Sequence, residues 1–151
     1  MNTIEQPVAI VTGASSGIGL GLTQTLLERG WRVVVQASSE ERIEALDAHL
    51  WTWRDDAFLP HGTWREPDAS AQPVLLTLDG ENPNQAVVRF LVEGAEMPTD
   101  AAAYQRLVLL FDGDDPDAVA AARERWAKAK NDGFEVTYWQ ADENGRWQRQ
   151  A

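Results

Sequence analysis

Cysteine is absent from the 151 residues of this sequence, and its absence removes several kinds of chemistry at once. Disulfides, thiolate zinc sites and cysteine nucleophiles all need a thiol, so none of them is available. There is also no N-terminal basic segment followed by an apolar core, and no apolar run approaches the ~20 residues that span a bilayer. We therefore expect a soluble cytoplasmic protein without a membrane segment.

Basic residues are scarce. Thirteen Lys and Arg residues stand against twenty-four Asp and Glu residues, which gives a formal net charge of −11. Such a surface repels a phosphate backbone, so direct binding to nucleic acid is not predicted. Histidine is scarce as well, and His49 has no second histidine or carboxylate four residues further on, so no metal site is predicted.

The hydrophobic pattern alternates short apolar runs with helical periods. It predicts strands over 7–12, 31–35, 73–78, 86–92, 106–111 and 134–139, and helices over about 17–29, 40–50 and 115–131. Ser38 or Ser39 caps the second helix, whose inner side carries Ile43, Leu46 and Leu50. This alternation predicts an α/β protein with a single-domain, Rossmann-like three-layer fold, a mostly parallel sheet and right-handed crossovers. No linker divides the chain, so one domain over 1–151 is expected.

A glycine-rich turn follows the first predicted strand, in the sequence Val-Ala-Ile-Val-Thr-Gly-Ala-Ser-Ser-Gly-Ile-Gly over residues 8–19. With this turn, residues 7–35 resemble the first βαβ unit of short-chain dehydrogenases. The resemblance implies a pyrophosphate site at the N-terminus of the following helix. The candidate cofactor-binding residues are Gly13, Ser15, Ser16, Gly17, Ile18 and Gly19.

The catalytic groups that should accompany this turn are missing. Neither Tyr104 nor Tyr138 is followed four residues later by lysine, and the Asn-Ala-Gly element of those enzymes is absent. No residue is therefore placed to transfer the proton that accompanies hydride transfer. The second strand is followed by Gln36 rather than by an acidic residue that would bind a ribose hydroxyl, which leaves only an NADP-type site open. We predict that the protein is not an enzyme and needs no cofactor, with a vestigial NADP site as the alternative.

The chain from about residue 30 onward carries a second set of motifs. They are Leu-Asp-Ala-His-Leu-Trp (46–51), Phe-Leu-Pro-His-Gly (58–62), Gln-Pro-Val-Leu-Leu-Thr (72–77), Leu-Leu-Phe-Asp-Gly (109–113), Ala-Ala-Arg-Glu-Arg-Trp (121–126) and Val-Thr-Tyr-Trp (136–139). In their order and spacing they resemble the chi subunit of bacterial DNA polymerase III. The resemblance implies a non-catalytic α/β adaptor that links the clamp-loader complex, through the psi subunit, to the acidic C-terminal tail of single-strand-DNA-binding protein.

The two resemblances divide the chain into a dehydrogenase-like segment over 1–35 and a chi-like body over 36–151. The chi family opens with its own strand and helix, and here the dehydrogenase-like unit stands in their place. We interpret the chain as a recombined or engineered chimera joined between Leu26 and Val35. A designed fold hybrid without a selected function is a further alternative.

One basic face stands out on the acidic chain. Within the helix predicted over 115–131, four basic residues fall between positions 123 and 130. Arg123, Trp126 and Lys130 share one face at helical spacing, and an apolar surface between cations suits an acidic peptide that ends in a hydrophobic residue. By resemblance, Arg123 and Trp126 match tail-binding positions of chi. The candidate peptide-binding residues are Arg123, Arg125, Trp126 and Lys130; the alternative is a solvated helix end with Trp126 packed inward.

The irregular stretch over 51–72 offers another candidate surface. Trp51, Phe58, Pro60 and His61 would form a pocket that faces psi. The alternative is a small hydrophobic cluster beneath a long loop.

Overall fold

The computed structural model describes residues 7–12, 28–52, 60–92, 94–141 and 147–149. In these ranges the chain forms two α-helices, α1 (Glu40–Trp51) and α2 (Pro116–Asn131). Short 3₁₀ helices cover Ala69–Ala71 and Ala101–Ala103. The strands are β1 (Pro7–Thr12), β2 (Val33–Gln36), β3 (Gly62–Thr63), β4 (Val74–Thr77), β5 (Val88–Val92), β6 (Arg106–Phe111), β7 (Glu135–Ala141) and β8 (Trp147–Arg149).

All these strands belong to one sheet in the order β3-β4-β2-β5-β6-β1-β7-β8. Each pair is parallel except the hairpin of β7 with β8. The predicted α/β class with a mostly parallel sheet is confirmed. No helix in the described residues has the length and hydropathy needed to cross a membrane.

The strand side chains alternate between two buried clusters, one on each face of the sheet. In β2, Val33 and Val35 point into the first cluster and Val34 into the second. Because successive side chains of a strand point to opposite faces, apolar runs of this kind are typical of strands covered on both sides. Ile43 and Leu50 of α1 belong to the first cluster, while α2 packs over β6, β1 and β7 with the second. The fold therefore has three layers.

Both helices begin at a side-chain cap. Ser39 accepts a hydrogen bond from the backbone N–H of Arg42 at 3.2 Å, and two glutamates follow in the first turn of α1. Asp115 caps α2 by accepting bonds from the N–H groups of Asp117 and Ala118, ahead of Pro116 at the first helical position. These carboxylates and hydroxyls satisfy backbone donors that have no partner inside a helix.

The opening strand lies in the same sheet as the chi-like body, but it does not pair with β2. Instead, β1 lies between β6 and β7, with Val8 in register with Leu107 and with Val136. Strands β5 and β6 separate it from β2. The strands of the predicted βαβ unit are thus not neighbours, unlike those of a dinucleotide-binding half. The glycine-rich turn and the helix predicted over 17–29 lie outside the described residues, apart from the end of that helix.

Two strands were not predicted from the sequence. The stretch over 51–72 contains the edge strand β3, which pairs with β4, and a 3₁₀ turn. The polar C-terminal tail contains β8, which adds to β7. Both are only two or three residues long, so neither offers enough positions for an alternating pattern to be recognised.

Candidate peptide-binding site

Helix α2 packs onto the sheet along one line of small residues. Ala122 and Ala129, seven positions apart, are buried. At about 100° per residue, Trp126, Lys130 and Arg123 fall within an arc of roughly 60° on one side of that line. Arg125 falls on the other side. Three of the four candidate residues therefore share one side of α2, and Arg125 lies on the other side.

Trp126 and Lys130 are in direct contact. The ammonium Nζ of Lys130 lies 4.7 Å from the centre of the indole ring, which is within the range of a cation–π interaction. Trp126 is half-buried and packs against the second cluster, whereas Lys130 is exposed. The indole Nε1 is buried and has no hydrogen-bond acceptor in the described part of the chain.

Arg123 presents an unpaired charge beside this contact. Its side chain is exposed, and it makes no hydrogen bond or ion pair with the described residues. Lys130 likewise pairs with no carboxylate in the ranges that the structure describes. Two cations thus flank one aromatic ring, in an arrangement that can contact an anion and an apolar group together.

Arg125 is engaged elsewhere. Its Nη1 donates to the carbonyl of Ala95 at 2.6 Å and its Nη2 to the carbonyl of Gly94 at 2.8 Å. Burial lowers the pKa of Arg125, and the nearby charge of Glu96 partly opposes this shift. The guanidinium ties α2 to the segment that follows β5. The structure does not bring Arg125 together with the other three candidates.

The second candidate surface lies at the end of α1. Trp51 is 59% exposed, and its ring meets the ring of His61 edge to face, with centroids 4.7 Å apart. The side chain of His61 is buried, and its Nε2 lies 2.9 Å from Oδ1 of Asp47. Pro60 is exposed beside them, and Phe58 lies outside the described residues. In the described ranges no three acidic or histidine side chains come together as a metal site.

Comparison with known proteins identifies the family. The family described as DNA polymerase III chi subunit, HolC, matches residues 12–137. The chain belongs to this family.

Two chi relatives support the assignment. The DNA polymerase III subunit chi of Pseudomonas aeruginosa PAO1 is 29% identical over 129 residues, which are 83% of this chain and 88% of that protein. The probable chi subunit of Rickettsia prowazekii is 26% identical over 103 residues, which are 62% of this chain and 60% of that protein. The chain thus spans less than two thirds of the Rickettsia relative and most of the Pseudomonas relative.

A relative of another kind matches only a short stretch. Farnesol dehydrogenase of Aedes aegypti is 56% identical over 43 residues, which are 28% of this chain and 18% of that enzyme. The match to the chi family begins at residue 12 and thus starts earlier than the chi-like body predicted from about residue 30.

In this chi-family chain, Arg89 forms a buried network that sequence reasoning missed. Arg89, the second residue of β5, is 0% exposed and makes five hydrogen bonds, all to uncharged acceptors. Its Nε and Nη2 donate to Oε1 of Gln36, its Nη1 to the carbonyl of Glu81 and to the Tyr104 hydroxyl, and its Nη2 to the carbonyl of Asp79. The sequence signal was an arginine within an otherwise apolar strand.

This network also bears on the alternative of a vestigial NADP site. Gln36 ends β2, where a dinucleotide-binding protein places its ribose-binding residue. Its side chain is buried and occupied by Arg89. Burial raises the pKa of Tyr104, and the charge of Arg89 and its hydrogen bond to the hydroxyl oppose the shift. Gln36 and Tyr104 are thus both engaged by Arg89 inside the fold.

Proposed function

We propose that this protein is a non-catalytic accessory subunit of a replicative DNA polymerase and that it binds the acidic C-terminal tail of single-strand-DNA-binding protein in the cytoplasm. The family match over residues 12–137 supports the replication role. The observation that carries the peptide site is the pair of cations, Arg123 and Lys130, around the half-buried ring of Trp126.

The chemistry of the ligand follows from the charges of this face. On a chain of net charge −11, an acidic ligand is repelled by most of the surface, so a local cationic face determines where it binds. Arg123 offers a planar fork for a carboxylate. The ring of Trp126 offers an apolar surface for the hydrophobic side chain next to that carboxylate. Each exposed ion pair contributes only about 0.2–1 kcal/mol, so the ring and the charges must act together.

Calorimetry with a synthetic tail peptide tests the proposal. Replacing Arg123 with alanine should weaken binding about three- to tenfold, since one charge-assisted contact is lost. Lys128→Ala is the matched control because it removes the same charge from the same helix. Lys128 already pairs with Asp132 at 2.7 Å and lies on the far side of α2. Equal affinities for wild type and Arg123→Ala would reject the site.

A second partner is proposed for the surface around Trp51, where psi would bind. An exposed tryptophan is uncommon on a free surface and is enriched at interface anchors. The contact with His61, itself held by Asp47, fixes the direction of the ring. Trp51→Ala should abolish co-purification with psi and leave tail-peptide binding unchanged. Retained psi binding would remove this surface from the proposal.

The main proposal treats the chain as a recombined or engineered chimera; the alternative is an NADP-binding remnant of a short-chain dehydrogenase. The 43-residue match to farnesol dehydrogenase favours it. The occupied Gln36 and the separation of β1 from β2 count against it. Because a ligand that binds only the folded state raises its stability, a thermal shift with NADPH but not with tail peptide would favour this alternative. A shift with neither would favour a fold hybrid without a selected function.

A further inference from the structure

The contact between Lys130 and Trp126 occupies the surface that a ligand needs. With Nζ 4.7 Å from the ring centre, the ammonium lies over one face of the indole ring of Trp126. An apolar ligand group and this ammonium cannot lie on the same ring face together. Binding on that face therefore requires Lys130 to move.

The energetic consequence depends on the ligand. Displacing an exposed ammonium from an aromatic face costs a factor of about two to five in affinity. A ligand that carries a carboxylate offers the displaced ammonium a new partner, and an exposed ion pair returns a comparable factor. A neutral ligand offers none. In the described part of the chain Lys130 pairs with no carboxylate in the free protein.

We propose that Lys130 is a specificity-determining residue that covers Trp126 in the free protein and admits apolar groups only when they are accompanied by a carboxylate. The role rests on the proposed peptide site and adds selectivity to it. The buried Nε1 of Trp126 has no acceptor among the described residues, which is consistent with a ring held in place by its packing contacts. Arg125 fixes the opposite side of the helix, so the exchange involves the lysine side chain and not the helix itself.

The test compares two tail peptides on three proteins. One peptide carries its carboxylates, and the other has them replaced by amides. The proteins are wild type, Lys130→Ala and Lys128→Ala, so the two variants lose the same charge from the same helix. Calorimetry gives the six affinities. NMR follows the Hε protons of Lys130, which a ring contact shifts upfield in the free wild type.

The proposal predicts that Lys130→Ala binds the neutral peptide about two- to fivefold more tightly than wild type, so the variant discriminates less than wild type between the acidic and the neutral peptide. Lys128→Ala should not tighten the neutral peptide. The upfield shift of the Lys130 protons should disappear when the acidic peptide binds wild type.

Each contrary result has its own meaning. If the acidic peptide binds in an Arg123-dependent way but Lys130→Ala does not tighten the neutral peptide, or if the Lys130 shift is absent from the free protein or persists in the complex, the selectivity role is wrong and the peptide site stands. If the acidic peptide does not bind wild type, the proposed function fails and the selectivity role fails with it.

Discussion

Replacing Arg89 with methionine should destabilise the protein by about 3–5 kcal/mol, which is a large effect for one residue. Methionine keeps the apolar stem of the side chain but ends where the guanidinium begins, so the variant leaves at most a cavity of guanidinium size. The substitution removes the N–H donors of the guanidinium. Arg89 is fully buried and makes its five hydrogen bonds inside the protein.

The magnitude follows from the acceptors that lose their donor. Gln36 and Tyr104 are buried, and each unpaired buried group costs about 1–3 kcal/mol. The carbonyls of Asp79 and Glu81 belong to exposed residues and can bind water once released, so they add less. Burial of the charged guanidinium opposes folding in the wild type, and the methionine variant does not bear that cost. This gain offsets part of the loss, and the net destabilisation is about 3–5 kcal/mol.

Urea denaturation followed by circular dichroism measures the difference, and two further variants test its cause. Arg89→Lys keeps the charge but has three donors in place of five, so it should still cost about 2–4 kcal/mol. Tyr104→Phe removes one bond to a charged donor and should cost about 1.5–2 kcal/mol. If Arg89→Met lies within 1 kcal/mol of wild type, or if Tyr104→Phe is the most harmful of the three, the reasoning is refuted.

Three further outcomes are expected. Asp115→Ala removes the cap of α2 and should lower the free energy of unfolding by about 1 kcal/mol in urea denaturation, whereas Asp115→Asn should restore most of it. Arg125→Ala loses both carbonyl contacts after β5 and should cost about 1–3 kcal/mol of stability with tail-peptide affinity unchanged by calorimetry, which separates it from Arg123→Ala. Because the folded state raises the pKa of Tyr104 above its ordinary value of 10.0, it binds this proton more tightly than the unfolded state does. Stability should therefore fall as the pH rises from about 10 through the raised pKa, and Tyr104→Phe should show a shallower decline over pH 8–11.

The long elements were predictable because their patterns repeat. Strand β1 over 7–12 and strand β6 over 106–111 were placed without error, and both helices were placed within one residue at each end. The order of the strands was not predictable in the same way. Strand pairing depends on contacts between segments that are far apart in the sequence. Strands β1 and β2 follow one another in the chain but are separated by two strands in the sheet. The resemblance of residues 7–35 to a βαβ unit therefore did not identify the strands that pair with β1.

The candidate site was only partly predictable for a related reason. Helical spacing placed Arg123, Trp126 and Lys130 on one flank, because that relation depends on the helix alone. The separate position of Arg125 depends on the carbonyls of Gly94 and Ala95, which are about thirty residues away in the sequence. A contact between residues so far apart leaves no signal in the local sequence pattern. The cofactor residues of the glycine-rich turn lie outside the described residues and remain a prediction.

The positions of the two tryptophans have a consequence for an adaptor. Trp51 belongs to α1, which packs on one face of the sheet, and Trp126 belongs to α2, which packs on the other. Trp51 has Asp47 within its turn of helix, whereas Trp126 carries Lys130 on its ring. The charged groups beside the two rings have opposite signs, so we expect the two surfaces to prefer different ligands. The proposed tail and psi sites therefore predict that both partners bind at once, without competing for one surface.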